Sequence, residues 1–162
     1  MKQHIVKIVL LCAALMCAAC QDAFDCNCGD EDTLELTNNN LSGDWQLVRF
    51  DGDAVLAEGT YVYIRFIRKN TRFVMCSNVQ GNPDSPVIKT GDFALVEYED
   101  GSVLLDGLYD YTLSEHWSNP YNVTLKTDGT MLLESAENPD DVCVYKRCTI
   151  PGELASKFPS EE

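Results

Sequence analysis

Beyond residue 19 the chain holds a single histidine, His116, so a serine–histidine–acid relay would have to be built around it. Ser114 and Glu115 are its neighbours in sequence, but consecutive residues of a strand point to opposite faces, and no Gly-x-Ser-x-Gly elbow occurs. An exposed loop histidine is the expected reading. Asp106, Asp110 and Glu115 are of the type that forms a glycosidase acid/base pair, yet with 26 acids in the chain such groupings arise by chance and read as a solvated surface. Cys26-x-Cys28 and Cys143-x4-Cys148 lack the ligand spacing of zinc sites, and Asn82-Pro83-Asp84-Ser85 is only a fragment of a calcium loop. Glycine-rich phosphate loops are absent. The expectation is a protein without catalytic residues, metal or cofactor. What the sequence offers instead is aromatic side chains. Tyr61, Tyr63, Tyr109, Tyr111 and Trp117 are the candidates to face a ligand, within a larger set that includes Phe66, Phe73, Phe93 and Tyr121.

The elements that must position these rings are strands. Tyr109, Tyr111 and Leu113 alternate with Asp110, Thr112 and Ser114, and Tyr121, Val123 and Leu125 with Asn122, Thr124 and Lys126, the period of a half-buried strand. Turn signals recur every 8 to 15 residues or so from Gly43 to Cys148, and the segments between are rich in Val, Ile, Tyr, Phe and Thr. Strands are expected at 43–50, 60–68, 72–78, 92–98, 102–106, 109–114, 121–126, 130–135 and 142–147. A loop is expected from Val79 to Thr90, and one short helical turn at 53–58 is conceivable. Lys69-Asn70-Thr71, Glu99-Asp100-Gly101 and Thr127-Asp128-Gly129 read as tight hairpins, each with a residue tolerant of positive φ. Eight or nine short antiparallel strands leave two open edges, and closing the sheet removes them, so an up-and-down β-barrel is the expected fold, with a β-sandwich as the alternative. About 108 residues from Leu41 to Cys148 suffice for one such domain and no more.

The N-terminus carries a different message. Lys2 and Lys7 form a basic head, an apolar run extends from Ile8 to Ala19, and small residues precede Cys20. Twelve apolar residues are too few for a bilayer core, which takes about 20 in helical form, so residues 1–19 read as a cleaved signal peptide. Cys17-Ala18-Ala19-Cys20 resembles the lipobox of bacterial lipoproteins, with Cys17 where Leu is usual. The resemblance implies that Cys20 is lipidated and becomes the new N-terminus, anchoring the chain in a membrane; the alternative is an ordinary cut near Ala19 that leaves Cys20 free.

Removal of Lys2 and Lys7 with the signal peptide leaves 10 basic against 26 acidic residues, and the net charge moves from −14 to −16. Nucleic acid and anionic lipid surfaces are excluded as partners on that balance. Residues 20–40 hold six acids, Asp22, Asp25, Asp30, Glu31, Asp32 and Glu35, and no base, the first base of the mature chain being Arg49, so they read as a lipidated acidic tether. Gln21-Asp22-Ala23-Phe24-Asp25 resembles the acidic export signal of Bacteroidetes surface lipoproteins, and Asp32-Thr33-Leu34 resembles the O-glycosylation motif of that phylum, although a plain linker explains Thr33 as well. These likenesses imply an outer-membrane lipoprotein exposed at the cell surface.

The folded segment, taken as 41–150 with a tail at 151–162, carries one further resemblance. Gly43-Asp44-Trp45 opens the first strand, and Val144-Tyr145-Lys146-Arg147 ends the last. This pairing is similar to the lipocalin-like domains of small Bacteroidetes lipoproteins, in which a Gly-x-Trp begins the barrel and an Arg on the last strand crosses over the indole. The resemblance implies that Trp45 and Arg147 are structural partners that close the barrel. Five cysteines remain after Cys20, namely Cys26, Cys28, Cys76, Cys143 and Cys148; in an oxidising compartment Cys76 could pair with Cys143 or Cys148, or a tether cysteine could pin the linker to the last strand, and all five could also be reduced. Two functions are expected in order of preference: a barrel mouth that takes a small apolar or amphipathic ligand, and an accessory protein-interaction subunit of an envelope complex.

Overall fold

The computed structural model describes residues 32–51, 53–82, 85–111 and 117–158, without the side chains of 80–82. Signal peptide, Cys20, Cys26, Cys28, Ser114, Glu115 and His116 lie outside the described residues.

Nine strands and two single-turn helices follow in chain order: β1 (Thr33–Leu34), α1 (Asn38–Leu41), β2 (Gly43–Arg49), β3 (Val62–Ile67), β4 (Arg72–Asn82), β5 (Ser85–Glu97), β6 (Val103–Tyr109), β7 (Tyr121–Lys126), β8 (Thr130–Ser135), β9 (Val142–Arg147) and α2 (Gly152–Ala155). Every pairing is antiparallel. Strands β2 to β9 pair each with the next, β9 returns to β2, and the result is a closed eight-stranded up-and-down barrel. The sandwich alternative is thereby set aside. β1 is an outer ninth strand. β6 meets β7 only through Leu104–Asn122 and Leu105–Tyr121, and β1 covers the edge of β7 that β6 leaves open, by pairing Leu34 with Leu125 and Thr33 with Lys126.

The turns use the backbone chemistry their sequences suggested. Gly101 and Gly129 carry the positive φ of their hairpins, at 83° and 77°. In the 69–71 turn it is Thr71 at φ 49° that takes the left-handed position. Asp100 and Asp128 each accept from the backbone N–H and hydroxyl of the residue two further on, Ser102 and Thr130, which locks the tip.

Three strand expectations are corrected. The loop expected at 79–90 is the extended part of the β4–β5 hairpin, in register from Arg72–Asp92 to Ser77–Val87 and again at Asn82–Ser85. Val79, Val87 and Ile88 favour that pleated backbone, and Pro86 falls in the irregular stretch, where its missing N–H breaks no ladder bond. The segments 102–106 and 109–114 are one strand that ends at Tyr109, because Gly107 is not a turn. Its bare backbone is pressed against the indole of Trp117, where an added Cβ would sit 2.2 Å from the ring. No helix forms at 53–58; the chain there bends back through a bridge between Phe50 and Ala54.

Inward residues fill the lower barrel. Trp45, Phe66, Phe73, Leu105, Leu125 and Met131 are fully buried there, and Phe66 meets Phe93 edge to face at 5.1 Å between centroids. The last stretch of the expected tether and the expected tail both belong to the fold. Leu41, at the end of α1, is fully buried in the closed end. α2 and the residues after it lay Leu154 and Phe158 over Tyr63, Ile67, Val74 and Cys76 on the outer face of β3 and β4, a second apolar cluster. Burial of each such side chain is worth about 1.5–3 kcal/mol, which acidic composition alone hides from a sequence reading.

Candidate functional site: the barrel mouth

The two ends of the barrel differ. At the closed end Trp45 and Arg147 are direct cross-strand partners, and the guanidinium carbon lies 4.3 Å from the indole centroid. Arg147 also donates to the carbonyls of Ser42 and Asn40, and the indole N–H donates to Leu41 O at 2.8 Å. Gly43, at φ 117°, leaves the room this needs: a Cβ there would sit 2.6 Å from Arg147 Nη1.

The other end is open. A cavity of about 350 Å³ lies there, within the size of small-molecule sites. Leu47 and Phe50 enter it from the end of β2, Leu56 from the loop that follows, and Val62 from β3. Met75, Ser77 and Val79 on β4 face Val87 and Lys89 on β5, so the long hairpin builds one high wall. Cys143 on β9, with Asp141 and Asp51 at the rim, closes the opposite side. A smaller cavity of about 90 Å³ lies deeper, among Ile64, Tyr109, Trp117, Tyr121, Leu133 and Tyr145, and shares Met75 and Cys143 with the first.

Of the rings expected to face a ligand, Tyr109 and Trp117 line the inner cavity. Tyr61 and Tyr63 do not line either cavity. They sit beside the outer apolar cluster, because Val62, Ile64 and Phe66 take the inward positions of β3. Tyr111 lies past the end of β6, 58% exposed, with its ring stacked on Tyr109 at 5.2 Å. The mouth is made instead by Phe50, by aliphatic residues, by Lys89 and by Cys143, none of them among the rings expected there. Strand parity points to them: with Phe93 inward, Gly91, Lys89 and Val87 follow on the same face.

The electrostatics of the interior are those of a dry site. Burial pushes the Cys143 thiol up to about 11, assisted by Asp141 and Asp51, and the Tyr121 hydroxyl up to about 12. The Trp117 Nε1 is buried without a hydrogen-bond partner. The Lys89 ammonium lies 5.3 Å over the Tyr109 ring and forms no ion pair among the described residues.

Cys76, Cys143 and Cys148 are free thiols in this structure, and Cys148 packs against the same outer cluster as Cys76. Cys76 points outward beneath α2, Cys143 points into the mouth, and β3 and β2 stand between their strands. The acid pair is likewise not assembled: Asp110 is held by Arg72 and Thr90, and Asp106 faces away from the interior that Leu105 and Gly107 face. Among the described residues no group of three His, Cys, Asp or Glu side chains is placed to hold a metal, and no helix is long and apolar enough to cross a membrane.

The fold and mouth define a small closed β-barrel with one plugged end and one apolar-lined open end. Comparison with protein-family models, with curated proteins and with solved structures finds no match to the chain.

Proposed function

We propose that this protein is a lipoprotein of the bacterial outer membrane, anchored through a lipidated Cys20, whose lipocalin-like barrel binds a small apolar or amphipathic molecule in its mouth without transforming it. The observation that carries the binding half is the cavity of about 350 Å³ with a predominantly apolar wall, set above a floor closed by Trp45 and Arg147. The anchoring half rests on Cys17-Ala18-Ala19-Cys20 and the apolar run before it. The described chain joins the barrel at β1, beside the closed end, since Asp32 O accepts from Thr127 N in the turn next to Gly129 and Arg147.

A thermal-shift screen of fatty acids, sterols, bile acids and sugars tests the binding half. A ligand that prefers the native state raises the apparent melting temperature, and a flat screen would count against the reading. Detergent phase partition of a Cys20→Ala variant tests the anchor, which fails if the variant still enters the detergent phase.

One observation favours the accessory-subunit reading. Val79, Val87 and Ile88 stand 49%, 40% and 39% exposed on the projecting β4–β5 hairpin, an apolar surface that suits a protein partner. Pull-down from solubilised membranes tests it, with recovery of the lipoprotein alone as the opposing result.

A further inference from the structure

The mouth holds one cation. Lys89 points inward from β5, half-buried, at a level where its neighbours across the hairpin and along the strand are Met75, Val87 and Gly91. Its ammonium rests against the face of Tyr109, and that ring is itself part of the inner cavity. An ammonium that no carboxylate of the described residues pairs, in an apolar-walled recess, is a ready partner for an anion, because attraction strengthens as water is excluded.

A second polar group of the interior lacks a partner among the described residues. Trp117 is 8% exposed, its Nε1 is buried, and it borders the inner cavity. A buried N–H left without an acceptor is costly, by about 1–3 kcal/mol, and a ligand oxygen that reaches it recovers that loss.

The competing charges are Asp51 and Asp141. Both belong to the rim beside β2 and β9, and in an eight-stranded ring β9 lies four strands from β5 in either direction. The carboxylates therefore stand across the mouth from Lys89 rather than beside it. They disfavour an anion at the rim and leave the inward-pointing Lys89 as the place where one fits.

Size narrows the class further. At roughly 30 Å³ per non-hydrogen atom, the share of a water molecule in the liquid, a 350 Å³ cavity takes about a dozen atoms. A sterol or a long-chain acid exceeds that.

We propose that the ligand is an amphipathic monocarboxylate of about a dozen non-hydrogen atoms, bound head inward, its carboxylate on Lys89 toward the adjoining inner cavity that Trp117 lines and its apolar body against Leu47, Leu56, Val62 and Val87. The proposal rests on the binding reading above and adds the chemistry of the ligand.

Titration calorimetry of the purified full-length protein with decanoate, 1-decanol and decylamine tests it, with Lys89→Met and Trp117→Phe variants alongside. Decanoate should bind at least tenfold more tightly than decanol. Lys89→Met should erase that preference while leaving decanol binding in place, and Trp117→Phe should weaken decanoate severalfold. Equal affinity for acid and alcohol overturns the carboxylate proposal and leaves the binding reading standing. Preference for decylamine overturns it in favour of Asp51 and Asp141. If none of the three binds, and the wider screen is also flat, the binding reading itself fails and takes the proposal with it.

Discussion

Arg147 lies over Trp45 with its guanidinium carbon 4.3 Å from the indole centroid, and the two residues are directly opposed on the first and last strands of the barrel. One contact thus joins the first and last strands of the barrel and plugs the closed end. Arg147 is exposed while Trp45 is buried, so the cation–π term is modest, and the bonds to Ser42 O and Asn40 O add to it. Arg147→Met should therefore cost about 1–2 kcal/mol in urea denaturation. Gly43→Ala should cost as much or more, since it strains a φ of 117° and drives a methyl into Nη1. Because part of that loss is the collision, the double variant should lose less than the sum of the singles, and strict additivity would show that the contact is not what closes the barrel.

The barrel was legible in the sequence because alternation, turn residues and the need to remove edges converge on one fold, whereas the pairing of Trp45 with Arg147 was expected only from a resemblance, on Gly-x-Trp in the first strand and an Arg in the last. The mouth was less so. Tyr61 and Tyr63 were chosen for being aromatic, yet Val62 and Ile64 are the residues that point inward, and a slip of one position exchanges the two faces. Gly107 reads as a turn former by type, and only the indole of Trp117 against its backbone explains why it stays within a strand. The packing of Leu154 and Phe158 on the outer wall has no periodic signature, since α2 is a single turn.

Asp110 should make stability depend on pH in the acid range. Hydrogen bonds from Arg72 and Thr90 hold its carboxyl at about 2, below the unfolded value of about 4. A depressed folded pKa stabilises the protein above the unfolded pKa, and that contribution fades as pH falls from about 4 through about 2. Asp128, held at about 2 by Thr130 and Lys146, acts in the same sense. Asp110→Asn should lower the urea midpoint at pH 6 and shrink the difference between pH 6 and pH 2.5. An unchanged pH dependence would mean that these partly exposed contacts are screened by solvent.

Cys143 should be slow to alkylate although it lines an open cavity. With its thiol at about 11, the thiolate at pH 8 is about a hundredfold scarcer than for an ordinary cysteine at about 9, and the thiolate is the reactive form. Iodoacetamide labelling followed by peptide mass spectrometry should show Cys143 modified about two orders of magnitude more slowly in the native protein than in urea. Any ligand that fills the mouth should slow it further. Native labelling as fast as unfolded labelling would contradict the raised thiol that its half-buried position implies.

Phe158 is where the C-terminal segment can be separated from the barrel it covers. It is 4% exposed, packs with Ile150 and Leu154 over Tyr63, Ile67, Val74 and Cys76, and receives the Arg65 guanidinium 5.3 Å from its ring centroid. Arg65 is fixed on its other side by a bidentate ion pair to Asp44, so it cannot follow a retreating ring. Phe158→Ala should cost about 2–3 kcal/mol, below the 3–5 of an interior phenylalanine because an outer cluster is free to collapse. Its consequences should be local. Cys76, fully buried under this segment, should become accessible to iodoacetamide, whereas Cys143 inside the barrel keeps its slow rate. If Cys76 stays protected in the variant, Phe158 is not what shields it, and the second cluster depends on Ile150 and Leu154 alone.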